Sequence, residues 1–235
     1  MNSFFFPINL YKLIENLIIL ALVLIMRHGQ AENNVQHILA GRQSEYHLTE
    51  RGKEQVSLTA NGLKSIPIDM IYTSPIIRTV ETTKIVSETI GVDYGIDERL
   101  TETEMGSVVG MGFNDVLEKY GNIFPGFFRD DPTLENLKIE KFSDIRKRIS
   151  NILDYVAERH QNTNVLLVTH LDPIKAAITR TLDLKPESLF NMTIGNASLT
   201  ILRHDSSEYN LIAFNVMDMS RYSWNSRKND NLQNI

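Results

Sequence analysis

The sequence contains no cysteine among its 235 residues, and this absence excludes several kinds of site together. Disulfide bonds, thiolate metal sites and cysteine nucleophiles all need a residue that the chain lacks. The absence is also typical of a reducing compartment, where disulfides do not form. We therefore expect the protein to be cytoplasmic.

Positive charge and metal-binding patterns are also scarce. The chain has 24 lysine and arginine residues against 29 acidic residues, with no sustained basic run, whereas nucleic-acid-binding surfaces are usually strongly basic. Its six histidines show no His-Glu-x-x-His or His-x-His spacing, and no glycine-rich nucleotide loop occurs. We expect no nucleic-acid partner, no metal ion and no cofactor.

Long hydrophobic runs are few, and the longest covers residues 17–26. Residues 1–16 are also apolar, but Lys12 and Glu15 interrupt them, and the uninterrupted part is too short to cross a bilayer. We expect no stable membrane anchor. The run predicts a central strand buried on both faces, and residues 1–16 form an N-terminal extension without an assigned role.

Apolar strands alternate with amphipathic helices along the chain. This alternation is typical of an α/β fold with right-handed crossovers and a mainly parallel sheet. Thr49 is the expected N-cap of the first long helix, and Asn61-Gly62 its expected end. The predicted strands are 17–26, 68–73 and 164–169, the helices are 50–61, 76–90, 144–160 and 174–182, and the edge hairpin combines 197–203 with 209–215.

Residues 106–140 differ in composition from the rest of the chain, because they are rich in glycine, proline and aromatic residues. They predict an irregular lid over the strand ends, or a packed satellite of the core, and both can hold. The lid belongs to a single domain that spans 17–217. Residues 218–235 are polar and predict a tail.

Arg27-His28-Gly29 stands directly after the first predicted strand. A neutral imidazole can attack phosphorus when its other ring nitrogen donates to a backbone carbonyl, although a single strand-end histidine is more often structural. Arg78, in the first turn of a helix, and His170, after another strand, are expected at the same sheet edge. Two guanidinium groups can bind phosphate oxygens bidentately, so the edge predicts a phosphate site.

Five short motifs follow one another along the chain: Arg27-His28-Gly29 with Glu32 and Asn34, Leu48-Thr49-Glu50-Arg51-Gly52, Ser74-Pro75 to Arg78, Leu100-Thr101-Glu102 to Gly106, and Thr169-His170. In this order they resemble the histidine phosphatase superfamily, in its phosphoglycerate-mutase-like branch. The resemblance covers about residues 20–214. It implies a three-layer α/β/α sandwich.

The resemblance also implies roles for individual residues. His28 would be the nucleophile that forms a phosphohistidine. Arg27, Arg78 and His170 would form the phosphate pocket, with Asn34 as an additional contact. All of these belong to the motifs quoted above.

Glu102 matches the proton donor of the family, which would protonate the leaving alkoxide and then activate water. Such a donor must be protonated first, so we expect its pKa to be raised. Glu98 and Glu104 are nearby carboxylates that compete for this role. Glu140 and Arg148 resemble later family residues, but they are interpreted here as a capping carboxylate and a surface arginine and stay outside the catalytic set.

Two departures from the family pattern matter for function. Leu171-Asp172-Pro173 replaces the glycines that commonly follow the second histidine. If a glycine backbone normally approaches the phosphate, Leu171 must still present its N–H there without a clash. Asp172 is expected to cap a helix that begins at Pro173, and acid catalysis by Asp172 is a weaker alternative.

The second departure follows Glu102, where the sequence reads Thr103-Glu104-Met105-Gly106. Phosphoglycerate mutases typically carry an arginine and a tyrosine here, which hold a carboxylated substrate. Their absence favours hydrolysis, so we expect a phosphomonoester hydrolase that acts on a small organic phosphate through a phosphohistidine. The alternatives are mutase-type phosphoryl transfer and a non-catalytic protein that binds a phosphate ligand; the oligomeric state is left open.

Overall fold

The computed structural model describes residues 21–205 and 208–218. The predicted extension 1–16, the start of the first strand and residues 219–235 of the predicted tail lie outside the described residues. The described strands are β1 (Ala21–Arg27), β2 (Met70–Thr73), β3 (Tyr94–Ile96), β4 (Val165–Thr169), β5 (Leu199–Asp205) and β6 (Glu208–Val216).

Eight α-helices surround these strands in the described part of the chain. Short 3-10 helices at Glu98–Leu100, Gly106–Val108 and Pro132–Leu137 connect them. The α-helices are α1 (Glu32–Gln36), α2 (Glu50–Leu63), α3 (Ile77–Ile90), α4 (Phe113–Tyr120), α5 (Phe124–Phe127), α6 (Phe142–Arg159), α7 (Leu171–Ile178) and α8 (Pro186–Asn191).

The strands form one sheet in the order β3-β2-β4-β1-β5-β6. Strands β1, β2, β3 and β4 run parallel to one another, and β5 runs antiparallel to both β1 and β6. The mainly parallel sheet and its edge hairpin are therefore confirmed. The reversed strand is β5, which lies one place in from the edge.

Two hydrophobic layers cover the two faces of the sheet. Val23 and Ile25 of β1 pack into the layer that contains the apolar face of α6, and Leu24 and Met26 pack into the layer that contains α2. Residues 22–26 are all buried, because β1 lies between β4 and β5 and is covered on both faces. This is the expected central strand and the expected three-layer sandwich.

Thr49 caps α2 as predicted, since its hydroxyl accepts a hydrogen bond of 3.0 Å from the N–H of Gly52. The predicted end of this helix is wrong, because α2 continues through Asn61-Gly62 to Leu63. The Leu63 side chain is fully buried in the core, and this burial stabilises the extra residues at the end of the helix. Strand β3 was not predicted.

Residues 106–140 are more regular than expected, since they contain α4, α5 and two of the 3-10 helices. Four of their side chains, Val108, Val116, Ile123 and Leu137, form a small buried cluster. This packing matches the satellite interpretation, while the lid role stays a prediction. No helix in the part of the chain that the structure describes is long and apolar enough to cross a membrane.

Candidate active site

Strands β1, β2 and β4 end at the same edge of the sheet, and each delivers one of the expected side chains there. The N–H of His28 donates to the carbonyl of Thr169 over 3.0 Å, and the N–H of Ser74 donates to the carbonyl of Val168 over 3.1 Å. His170 follows Thr169 directly. Residues far apart in sequence are therefore adjacent in space, as predicted.

The ring of His28 is held in one tautomer by the backbone. Its Nδ1 lies 2.7 Å from the carbonyl oxygen of Gly29, and because a carbonyl can only accept, Nδ1 must carry the proton. The pKa of His28 is lowered well below its usual value, first by burial and then by the positive charges of Arg78 and Arg27. The neutral ring thus has an unprotonated Nε2, which is the nucleophilic form.

His170 lies beside His28, with the two ring centroids 5.2 Å apart. Its Nε2 is 2.9 Å from the hydroxyl oxygen of Ser74, whereas its buried Nδ1 has no hydrogen-bond partner among the described residues. Burial lowers the pKa of His170 well below the usual value, with further lowering by Arg78, His28 and Arg27. The two histidine rings are therefore adjacent, and the positive charges of Arg78 and Arg27 lower the pKa of both in addition to burial.

Arg27 and Arg78 are held by backbone carbonyls. Arg78 donates to the carbonyl oxygens of Gln43 and Gly41 over 3.0 and 2.7 Å, and Arg27 donates to the carbonyl of Ile194. Burial lowers the pKa of Arg78 to about 10, which leaves it charged at neutral pH. The Nε of each guanidinium is buried without a partner among the described residues. The pair therefore offers unsatisfied cationic donors.

Asn34, from α1, contacts the loop that follows β1 and begins at His28. Its Oδ1 accepts hydrogen bonds from the N–H of Ala31 over 2.9 Å and from the side-chain amide of Asn196 over 3.2 Å. The same Asn196 amide donates to the carbonyl of His28 over 3.2 Å. Asn196 was missed by sequence reasoning, because it belongs to none of the five motifs. With Oδ1 occupied, Asn34 can offer only its Nδ2 as a donor.

Glu102 joins this cluster, and its carboxylate is held by two backbone N–H groups. Oε1 accepts from Thr103 over 2.9 Å, and Oε2 accepts from Leu171 over 3.2 Å. Burial raises the pKa of Glu102 to about 7, with a second raising effect from Asp172, while Arg78 and Arg27 oppose the shift. Leu171 therefore presents its N–H to the carboxylate of Glu102, whereas the sequence predicted that it would face the phosphate.

Asp172 does not cap a helix, so that prediction is wrong. Helix α7 begins at Leu171 with His170 in the cap position, and Asp172 is already inside its first turn. The buried Asp172 instead accepts a hydrogen bond of 2.8 Å from the hydroxyl of Thr103. Asp172 and Glu102 are thus neighbouring carboxylates, joined through one threonine.

The backbone before and at Glu102 is braced by Arg148, whose interpretation as a surface arginine is wrong. Arg148 donates to the carbonyls of Arg99, Thr101 and Glu102 over 2.8, 2.6 and 3.3 Å. It also pairs with Glu140 over 2.9 Å. Burial raises the pKa of Glu140, but Arg148, together with Arg42 and the Glu104 N–H, outweighs this effect, so the pKa is lowered. Arg148 therefore positions the segment that carries Glu102.

Arg42 was not singled out in the sequence, yet it reaches the same segment. Its Nε donates to the carbonyl of Glu102 over 3.0 Å, and its NH2 pairs with Glu140 over 3.0 Å. No local pattern around Arg42 reveals this contact, because its partners lie 60 and 98 residues away. Glu140 therefore pairs with both Arg42 and Arg148, and each of these arginines donates to the carbonyl of Glu102.

Gly29 is required by space rather than by an unusual backbone angle. It does not have a positive φ, but a Cβ at this position would lie 2.6 Å from the carbonyl oxygen of Gly52. A Cβ on Gly52 would lie 2.0 Å from the carbonyl oxygen of Gln30. The two glycines allow the loop after β1 to contact the start of α2 directly.

A cavity of about 330 Å³ opens beside Arg27. Its walls combine Leu171, Asp172 and Lys175 of α7 with aromatic and aliphatic side chains from residues 105–139 and 190–194. Lys175 was not expected from the sequence, because it lies outside every motif. We call this space the side cavity.

Comparison with known proteins places the chain in a family. The model of the histidine phosphatase superfamily (branch 1) matches residues 23–217. A 2,3-bisphosphoglycerate-dependent phosphoglycerate mutase from Thermoplasma acidophilum is 34% identical, over 77% of this chain and 86% of that protein. Phosphoserine phosphatase 1 from Hydrogenobacter thermophilus is 26% identical, over 83% of this chain and 92% of that protein.

The fold comparison agrees with the sequence comparison. The structure of Bacillus stearothermophilus YhfR superposes with a TM-score of 0.77 at 24% identity, covering 85% of this chain and 98% of that one. The fold is therefore the one that the motifs of the sequence predicted. The chain belongs to branch 1 of the histidine phosphatase superfamily and is an enzyme of this family.

Proposed function

We propose that the protein hydrolyses small organic phosphomonoesters through a phosphohistidine formed on His28. One observation carries this proposal: the Nδ1 of His28 must donate to the Gly29 carbonyl, so the Nε2 lone pair is free beside two arginines. Neutral imidazole is the form that can attack phosphorus. Burial and then the surrounding positive charge keep the ring neutral, and the positive charge also attracts the phosphate.

In the first step, Nε2 of His28 attacks phosphorus while the bond between phosphorus and the ester oxygen breaks. The proton of neutral Glu102 passes to that oxygen, so an alcohol leaves. In the second step, a water molecule attacks the phosphohistidine and gives its proton to the Glu102 carboxylate. Inorganic phosphate leaves, and His28 and protonated Glu102 are restored.

The phosphate would be held by groups that have no partner among the described residues. These are the Nε atoms of Arg27 and Arg78 and the Nδ1 of His170. Buried polar groups without a partner are costly, and phosphate oxygens would accept from both Nε–H groups, and from Nδ1 of His170 when that nitrogen carries the ring proton. The Nδ2 of Asn34 can provide a further donor next to the loop that follows β1.

Mutase action is the second candidate, because the relative from Thermoplasma acidophilum carries that name. Hydrolysis is the better supported proposal, since Thr103 and Met105 stand where mutases typically carry the arginine and tyrosine that hold a carboxylate. Glu104 adds negative charge at the same place. The cytoplasmic location expected from the sequence remains a prediction.

The proposal is tested by phosphate release from a panel of phosphate esters. His28→Ala should lower turnover by about 1,000-fold or more while the circular dichroism spectrum stays that of the wild type. His37→Asn is the matched control, because His37 is exposed with a positive φ that asparagine also tolerates. Wild-type turnover by His28→Ala would overturn the mechanism.

A second measurement separates hydrolysis from mutase action. The protein is incubated with 3-phosphoglycerate and a catalytic amount of 2,3-bisphosphoglycerate. Free phosphate is the expected product, whereas formation of 2-phosphoglycerate would favour the mutase. Phosphate binding without turnover of any ester would instead identify a non-catalytic binding protein.

A further inference from the structure

The side cavity has an apolar wall that a small leaving group would not cover. Phe113 and Phe124 stack at a centroid distance of 4.8 Å, and Phe124 and Phe190 lie nearly parallel at 6.0 Å. The cavity volume of about 330 Å³ is at the lower end of the range for drug-sized ligands. Because Arg27 lines the side cavity, the cavity lies where the organic part of a bound phosphate ester would extend.

Lys175 is a buried cation in this wall. Its side chain comes from α7, the residue is only 4% exposed, and no hydrogen-bond acceptor for its Nζ is found among the described residues. Nζ lies 4.8 Å from the ring centroid of Phe128, which is a cation–π contact rather than a hydrogen bond. Burial lowers the pKa of Lys175, while Asp172 and Glu102 oppose this shift. In either protonation state Nζ retains N–H groups to donate.

Asp172 lies one helical turn before Lys175 on α7 and attracts it electrostatically, but the structure shows no hydrogen bond between these two side chains. Its Oδ2 accepts the hydroxyl proton of Thr103, and no ion pair joins Asp172 to Lys175 in the part of the chain described by the structure. Nζ of Lys175 is not among the fully buried polar atoms of the described residues, so it reaches the open space of the side cavity. The acceptor for its N–H groups is therefore supplied by whatever fills that cavity, either solvent or a bound ligand.

We propose that the side cavity binds an aryl-sized, largely apolar leaving group of a phosphomonoester. An oxygen atom on this group, such as that of a carboxylate, would accept a hydrogen bond from Nζ of Lys175. This inference rests on the proposed phosphatase function. The stacked phenylalanines would contact the apolar body, and Lys175 would select esters that carry the acceptor. Leaving groups as small as serine or glycerate would leave the aromatic wall wet.

The test compares two matched series of aryl phosphates. One series carries a para carboxylate on a chain of zero, one or two methylene groups. The other carries a methyl, ethyl or propyl group of the same length. For the best-fitting length, the wild type should show a kcat/KM at least about 10-fold higher for the carboxylate than for its alkyl partner, as expected for a hydrogen bond to a charged group.

The variant Lys175→Met should reduce this ratio to about 1, mainly by raising KM for the carboxylate series. Lys147→Met is the matched control, since Lys147 is an exposed lysine on α6, and it should retain the wild-type ratio. The free carboxylated phenols provide a readout without turnover. Their binding, measured by calorimetry, should be weakened in Lys175→Met, whereas binding of the alkylphenols should not.

The outcomes distinguish the two proposals. If no ester releases phosphate, the proposed function fails. If both series are hydrolysed but the ratio is near 1 in the wild type, or is the same in Lys175→Met, Lys175 is satisfied by water and the inference is overturned while the phosphatase stands. Faster hydrolysis of phosphoserine than of every aryl ester would also overturn it. If Lys175→Met does not fold, Lys175→Leu, which also lacks a donor, replaces it in the same comparison.

Discussion

Glu102 is subject to opposing influences on its pKa. Burial and the neighbouring Asp172 raise the pKa to about 7, while the Thr103 N–H, Arg78 and Arg27 act in the other direction. A carboxyl group that titrates near neutrality can be protonated when the ester binds and ionised when water attacks. The contact between Asp172 and Thr103 fixes the second carboxylate at the place where it has this effect.

Glu102→Gln is predicted to impair esters according to their leaving group. With an alkyl phosphate, kcat/KM should fall by about 100-fold to 10,000-fold, because the alkoxide needs a proton. With p-nitrophenyl phosphate the fall should be much smaller, since nitrophenolate leaves without one. In the wild type, kcat/KM for the alkyl ester should decline above a pH of about 7, as Glu102 loses its proton. Steady-state kinetics at several pH values measure all three effects.

Glu98→Gln is the control for this prediction. Glu98 is exposed and lies four residues before Glu102, outside the cluster of buried charges. Its loss should change neither the leaving-group dependence nor the pH profile. An equal loss on both ester types in Glu102→Gln would contradict the assignment of Glu102 as the proton donor.

At the scale of secondary-structure elements, α6 supports the site through one side chain. Arg148 spans from this helix to three backbone carbonyls and to Glu140, and the pair is only 15% and 13% exposed. Arg148→Met should therefore lower the free energy of unfolding by about 2–4 kcal/mol, because it leaves buried acceptors and a carboxylate unpaired. It should also lower kcat, since Glu102 loses its support.

Urea denaturation of the variant measures the first effect. Arg146→Met, an exposed position on the same helix, should stay within about 0.5 kcal/mol of the wild type. If Arg148→Met were as stable as Arg146→Met, the hydrogen bonds of Arg148 would not support the loop as described.

The elements that carry the motifs were predictable because each has a local signal. An apolar run predicts β1, and the Thr49 side chain predicts the start of α2 through its cap. The signals fail where the cause is distant in sequence. β3 has only three residues, and α2 passes Gly62 because Leu63 is buried by the rest of the molecule.

The same distinction applies to the site. His28, Arg78 and His170 were found because strand ends converge in a parallel sheet. Arg148 was set aside as a surface arginine and Lys175 was missed, since an arginine or lysine on a helix is normally solvated and only tertiary packing buries it. Sequence order thus predicts which residues meet at the sheet edge. It does not predict which distant residues donate to the backbone of the site or line the adjoining cavity.

At the scale of the whole molecule, the buried site makes folding depend on pH. The pKa values of His28 and His170 are lowered well below 6.5 in the folded state, so as the pH falls through 6.5 these two groups take up protons in the unfolded chain before they do so in the native state. Each such proton lowers stability by about 1.4 kcal/mol per pH unit as the pH falls. Glu102 acts oppositely: with a folded pKa of about 7 against the ordinary 4.5, it makes the native state bind one more proton.

The two histidines together outnumber the single opposing carboxyl, so the wild type should lose stability as the pH falls from about 6.5 towards 5. In Glu102→Gln the opposing carboxyl is gone, and the loss should be steeper than in the wild type by up to about 1.4 kcal/mol per pH unit. Urea unfolding at pH 7, 6 and 5 measures both slopes, in buffers free of phosphate, because a bound anion would stabilise the native state. The exposed Glu98→Gln should keep the wild-type slope, and an equal slope in Glu102→Gln would show that Glu102 does not carry its proton in the native state at these pH values.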